Sequence, residues 1–182
     1  MDPLCGSGTI PIEAALFARH KAVGASRTFS IEQWPGVSRA LSARVRASLS
    51  QVTLDHAPGP ILGSDRDAGA IAAARGNAER ADVSGDIVFA ARSLSALELP
   101  GAARGWIVAN PPYGVRVGDP DRVRDLWAQL GNVLRERARG WRLAMLSPDP
   151  ALERQLRLPV RVVAETTNGG IPVRLIVGDI PD

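Results

Sequence analysis

Apolar and polar positions along this chain alternate between two rhythms. Short apolar runs predict buried strands where they end in polar, glycine or proline residues: Ile61-Leu62-Gly63-Ser64-Asp65, Ile87-Val88-Phe89-Ala90-Ala91, Trp106-Ile107-Val108-Ala109 and Leu143-Ala144-Met145-Leu146-Ser147. Between them the apolar residues recur at helical spacing. One helix is expected over residues 67–81, and another over 121–137 with Val123, Leu126, Trp127, Leu130, Val133 and Leu134 on its inner face. A short helix over 151–156 follows Pro148, and two last apolar runs, 160–165 and 173–177, flank Asn168-Gly169-Gly170, a hairpin signal. Strands alternating with helices imply an α/β fold, a mainly parallel sheet flanked by helices and closed by a C-terminal antiparallel hairpin. Residues 21–59 make a long connection between the first helix and the second strand, an insertion of the kind that is often functional. Within it, a helix over 37–49 carries the stripe Val37, Leu41, Val45 and Leu49, and Trp34-Pro35-Gly36 either walls a substrate or anchors the insertion.

The strand at 106–109 runs directly into Asn110-Pro111-Pro112-Tyr113-Gly114. A Pro-Pro pair cannot continue a ladder, so the strand stops abruptly and leaves polar groups at its carboxyl end, where open α/β sheets place their ligands. Asn110 offers a side-chain carbonyl, Pro111 a backbone carbonyl and Tyr113 a flat ring, a set suited to a planar group bearing an exocyclic NH2. Holding both amine hydrogens favours a pyramidal nitrogen whose lone pair faces an incoming methyl. Positioning and preset dipoles would then do most of the work, with no strong general base. Taken alone, the same residues also read as a turn that merely ends a strand.

A second motif opens the chain. Asp2-Pro3-Leu4-Cys5-Gly6-Ser7-Gly8-Thr9 is a glycine loop feeding a helix, with Pro11 in the first turn, where its missing N–H costs nothing. The acid can face a cationic part of a ligand while the helix start takes an anionic part, and an amino-acid tail carries both. Asp65 stands where nucleotide-binding α/β folds place the acid that grips ribose hydroxyls. The Gly-x-Gly-x-x-Gly loop of phosphate-rich dinucleotides is missing. S-adenosylmethionine has the matching inventory: a ribose, a purine, an amine, a carboxylate, no phosphate, and a transferable methyl.

Five stretches together resemble the RNA guanine-N2 methyltransferases, class I S-adenosylmethionine enzymes with a Rossmann-like sheet. They are Asp2-Pro3-Leu4-Cys5-Gly6-Ser7-Gly8-Thr9-Ile10 with the helix behind it, Phe29-Ser30-Ile31-Glu32-Gln33-Trp34-Pro35, Gly63-Ser64-Asp65-Arg66-Asp67, Asn110-Pro111-Pro112-Tyr113-Gly114 and Asn168-Gly169-Gly170. The bacterial members modify large-subunit ribosomal RNA and the archaeal relatives tRNA. The opening motif is specific to this group, whereas Asn-Pro-Pro-Tyr is shared with DNA adenine and protein glutamine methyltransferases. The resemblance implies that Asp2, Gly6 and Gly8 line the methionine end of the cofactor with Cys5 and Thr9 beside them. It also implies that Asp65 takes the ribose and that Arg66 flanks the adenine. Asn110, Pro111 and Tyr113 would hold the target guanine, with Pro112, Gly114 and Arg116 on the substrate side. Where relatives carry Asp or Asn for the adenine amine, this chain continues Arg92-Ser93-Leu94 after the strand, so Ser93 is left as a weaker acceptor.

The resemblance also carries two expectations about the beginning of the chain. A buried first strand normally precedes the glycine loop, and an RNA-binding module, often of the THUMP type, lies upstream. Since the sequence starts at Met1, it reads as a truncated catalytic domain spanning 1–182, either a fragment or a minimal variant. Structured RNA is the expected partner. The alternatives are methylation of DNA adenine or of a protein glutamine, or a non-catalytic remnant that binds only cofactor or a partner.

Composition narrows this picture further. No apolar stretch approaches the ~20 residues that span a bilayer. One cysteine among 182 residues excludes an internal disulfide and a thiolate metal cluster, so a reducing, cytoplasmic setting and no metal are expected. Cys5 reads as a small buried residue. Net charge is only +3, carried almost entirely by arginine. Arg39, Arg44 and Arg46 on the insertion helix, and Arg116, Arg122 and Arg124 after the Pro-Pro corner, read as solvated faces unless several rim one cleft, where they would suit phosphates.

Overall fold

Six strands and five α-helices make up the computed structural model, which describes the whole chain apart from residues 23, 25, 26, 102, 103 and 114–118. Strand β1 (Ile61–Asp65) pairs in parallel with β2 (Ile87–Ala91), and β3 (Trp106–Ala109) in parallel with β4 (Arg142–Ser147). The last two strands, β5 (Val160–Asn168) and β6 (Ile171–Asp179), form the antiparallel hairpin, and β6 adds to β4. The order is therefore β2-β1 in one group and β3-β4-β6-β5 in the other.

Met1 and Asp2 join the two groups. The Met1 amine donates to the Trp106 carbonyl at 2.8 Å, and the Met1 carbonyl accepts from the Val108 N–H at 2.9 Å. On the other side the Asp2 N–H donates to the Leu62 carbonyl at 2.9 Å, while the Asp2 carbonyl accepts from Ser64 at 2.8 Å. Met1 and Asp2 thus lie parallel between β1 and β3, where the first strand of the fold is expected.

Apolar packing follows the strand alternation. Helix α1 (Thr9–Ala18) and α3 (Ala68–Arg80) cover one face of β1 and β2, burying Ile12, Ala15, Ile71, Ala74 and Ala78 against Ile87 and Phe89. Asp67 caps α3, accepting from Gly69 at 2.7 Å and Ala70 at 3.2 Å. A larger core forms where α4 (Pro120–Arg137) packs on β3 and β4, with Trp127, Leu130 and Leu134 fully buried against Ile107, Leu143 and Met145. Asp119 caps α4 and Pro120 occupies its first turn, so the sequence itself marks where that helix starts. The short α5 (Pro150–Leu156) seals the end of this core with Leu156.

Three expectations change. The hairpin strands run past the expected 160–165 and 173–177 up to Asn168 and Ile171, because the turn needs only two residues and the polar tip continues the ladder without apolar alternation. The insertion helix α2 (Arg39–Ser50) starts two residues late, capped by Ser38, and its stripe Leu41, Val45 and Leu49 stays exposed rather than sinking into a core. Trp34 is 62% exposed, so it does not anchor the insertion.

Candidate active site

The residues singled out from the sequence emerge in a row along one end of the sheet. Ser93 follows β2, Asp65 ends β1, the glycine loop leaves the Met1–Asp2 bridge, and Asn110 follows β3. Neighbouring strands lie ~4.8 Å apart, so these four points span roughly 14 Å. Strand order reverses at the bridge, with β1 and β2 on one side and β3 and β4 on the other. In open α/β sheets such a reversal marks where ligands bind, outside the carboxyl ends of the strands.

The glycine loop is held by the strands around it. Cys5 donates its N–H to the Ser64 carbonyl at 3.0 Å, and Gly6 donates to Asp65 Oδ2, also at 3.0 Å. Asn77 of α3 donates from Nδ2 to the Ser7 carbonyl at 2.8 Å. Gly8 ends the loop with φ 86° and serves as the N-cap of α1. A Cβ there would stand 2.9 Å from that of Ala74 and 3.0 Å from the Phe89 ring, so the residue is glycine for both backbone and space. A Cβ on Gly6, by contrast, would meet nothing within 4 Å. The loop thus packs tightly on its inner side and leaves Gly6 open.

Two carboxylates stand beside it. Asp65 uses one oxygen for Gly6 and the other for the N–H of Asp67 at 3.0 Å. Each oxygen keeps a second lone-pair site, so two hydroxyls could still be accepted. Asp2 is buried, and its Oδ1 accepts from the Leu4 N–H at 3.0 Å. Burial pushes its carboxyl up to about 7, which the Leu4 bond only partly offsets. The Cys5 thiol is pushed up to about 12, mainly by burial and then by the charges of Asp2 and Asp65. It is protonated and inert at neutral pH, as a small buried residue should be.

At the far end of the row Asn110 is exposed, Pro111 buried, and Pro112 and Tyr113 half-buried. Tyr113 is not left loose. Its hydroxyl accepts from Asn168 Nδ2 at 2.6 Å, bringing the hairpin tip onto the corner. The sequence marks Asn168 as a turn residue and part of a family motif, with nothing to link it to Tyr113. Thr9, Arg66 and Ser93 are exposed at their strand and helix ends, with Ser93 Oγ 3.0 Å from Ser95 Oγ. Gly114 and Arg116 lie outside the described residues. Of the arginines after the corner, the described Arg122 and Arg124 each have an acid beside them. Arg122 lies 4.0 Å from Asp119 and Arg124 3.1 Å from Asp121, while Arg46 pairs with Glu32. Among the described residues no group of three or more His, Cys, Asp or Glu side chains could hold a metal. No helix there is long and apolar enough to cross a membrane. A groove of about 600 Å³ lies elsewhere, lined by Phe29, Ile31, Leu41, Val45 and Leu49 of the insertion. It touches neither acid, so the site is located by strand ends rather than by cavity size.

A strand-order reversal, two acids beside a glycine loop that leaves Gly6 open, and a sheet closed by an antiparallel hairpin define a class I S-adenosylmethionine-dependent methyltransferase domain. The residues present fit that cofactor, since their carboxylates could accept an amine and ribose hydroxyls. Residues 1–176 match the RMKL-like methyltransferase domain family (UPF0020), and the chain belongs to that family. The ribosomal RNA large subunit methyltransferase K/L of Legionella pneumophila (strain Lens) is 38% identical over 175 residues, covering 96% of this chain and 24% of the relative. Among solved structures, SMU.472, a putative methyltransferase complexed with SAH, superposes with TM-score 0.88 at 29% identity, over 97% of this chain and 46% of its own. A predicted N6-adenine-specific DNA methylase from Listeria monocytogenes str. 4b F2365 gives TM-score 0.81 at 31% identity, over 96% and 45%. The chain spans from about a quarter to about half of the length of the curated relatives it matches first, 24% and 46%.

Proposed function

We propose that residues 1–182 form one catalytic domain, with 21–59 as an insertion, that methylates the exocyclic N2 amine of a guanine in structured ribosomal or transfer RNA. The observation that carries this reading is the hydrogen bonding of Met1 to both Trp106 and Val108. It sets the strand that feeds the glycine loop directly beside the strand that feeds Asn110-Pro111-Pro112-Tyr113, at the same end of the sheet. A cofactor over Gly6 and an amine at Asn110 are then neighbours.

In this reading Asp2, Cys5, Gly6, Gly8 and Thr9 hold the methionine end of S-adenosylmethionine, Asp65 the ribose, and Arg66 and Ser93 the adenine. When bound, the cofactor supplies an electrophilic methyl carbon. Asn110 Oδ1 and the Pro111 carbonyl accept the two amine hydrogens and orient the nitrogen lone pair. Their dipoles also stabilise the positive charge that grows on the nitrogen, and the surplus proton is then acidic enough to pass to water. Pro112 and Tyr113 cover the base and replace the stacking it loses when swung out of its helix, and Gly114 and Arg116 lie on the same substrate side.

The second reading, N6-adenine methylation of DNA, is favoured by the likeness to the predicted DNA methylase and by the same Asn-Pro-Pro-Tyr corner. Transfer of tritium from labelled S-adenosylmethionine to ribosomal RNA, transfer RNA, duplex DNA and a release-factor substrate separates the readings. Label is expected in RNA, and digestion should place it on guanine. Label confined to DNA or protein would overturn the proposal.

A further inference from the structure

Tyr113 carries a ring at a partly exposed corner, where two side-chain torsions could swing it across several positions. On its N-terminal side the chain restrains it through Pro111 and Pro112. A second restraint comes from a residue 55 positions away, the Asn168 amide, which donates to the phenol oxygen at 2.6 Å. Asn168 is itself well placed to hold a position. It ends β5 opposite Ile171, and the two residues between them, Gly169 at φ 58° and Gly170 at φ 82°, both take the left-handed conformation that a two-residue hairpin turn requires. That short turn leaves the tip little freedom.

We propose that Asn168 is a positioning residue, fixing the Tyr113 ring in the plane on which the target base stacks. The inference rests on the base-stacking reading of Tyr113 given above and adds a second element, the β5–β6 tip, to the wall of the target pocket. Asn168 does not touch the reacting atoms. Its effect passes through the ring, so it should be felt in use of the nucleic acid and not in cofactor binding.

The chain contains a single tyrosine, so 3-fluorotyrosine labelling of the full chain gives one ¹⁹F resonance that reports Tyr113 alone. Asn168→Ala should move that resonance toward its unfolded-chain position and sharpen it as the ring gains freedom. Asn168→Asp, which can accept the phenol proton in return, should keep it near the parent position. On substrate RNA, Asn168→Ala and Tyr113→Phe should each lower kcat/KM about five- to tenfold, and the double variant no further, because both remove one hydrogen bond. The S-adenosylhomocysteine isotherm should be unchanged, and the melting midpoint should fall by no more than about 4 °C. A ¹⁹F resonance indifferent to Asn168→Ala, or additive losses in the double variant, would overturn the positioning role. If the resonance responds but Tyr113→Ala retains full transfer, the positioning stands and the stacking reading fails instead.

Discussion

Asp65 holds the backbone N–H of Gly6 at 3.0 Å, so the acid that ends β1 also shapes the glycine loop leaving the neighbouring bridge. One side chain therefore serves two parts of the proposed cofactor site. Asp65→Ala should weaken S-adenosylhomocysteine binding by more than loss of the ribose contact alone, since a charge-assisted bond contributes about 1.5–3 kcal/mol. Calorimetry should register at least a tenfold rise in Kd, and a change under threefold would remove Asp65 from the site.

Asp2 gives a pH dependence whose sign follows from its burial. Its carboxyl moves from an ordinary 3.8 up to about 7, so the folded chain holds a proton that the unfolded chain has released. This group's contribution to stability is full below the ordinary value and is lost as pH rises through about 7. Without cofactor, the melting midpoint should fall between pH 5 and 8, and Asp2→Asn should flatten the fall. A cationic ligand requires the carboxylate, so cofactor affinity should rise over the same range with release of a proton. Calorimetry in two buffers of different ionisation enthalpy measures that proton, and none released would refute the assignment.

Asn110→Ala should leave the S-adenosylhomocysteine isotherm nearly unaltered while transfer drops by about 10²–10³-fold, the range for removing one preset group that stabilises developing charge. Single-turnover transfer at saturating cofactor is the relevant measurement. Activity within threefold of the parent would show that this side chain does not hold the amine.

Gly8→Ala combines a strained φ of 86° with a Cβ placed 2.9 Å from Ala74 and 3.0 Å from Phe89. Left-handed strain costs about 1–3 kcal/mol and overpacking a similar amount, so thermal unfolding should start several degrees lower. Because α1 starts at this residue, cofactor affinity should fall too. Gly6→Ala, also at positive φ but facing open space, should lose less stability than Gly8→Ala. Equal losses at the two positions would mean that the packing against Ala74 contributes nothing.

Much of the candidate site's placement at the strand ends was legible in the residues themselves because its parts are local. A Pro-Pro pair ends a strand wherever it occurs, and Asn110 follows Ala109 at the end of β3 as expected. The runs at 61–65, 87–91 and 106–109 coincide with β1, β2 and β3 because each is a short apolar segment with clear punctuation. The insertion was less readable. Its apolar stripe has helical spacing, and α2 is a helix, but spacing alone says nothing about whether a partner surface covers Leu41, Val45 and Leu49.

The sequence by itself determined the alternation of strands and helices, the two acids, the glycine loop and the Pro-Pro corner, since each depends on backbone preferences within a few residues. Only the tertiary structure decided that Met1 and Asp2 bridge β1 to β3, that Asp65 ties down Gly6, and that Asn168 reaches Tyr113. Those contacts join residues 55 to 107 positions apart. Periodicity carries no information at that range, because which strand ends become neighbours is set by the order of the sheet and by the cores packed on its faces.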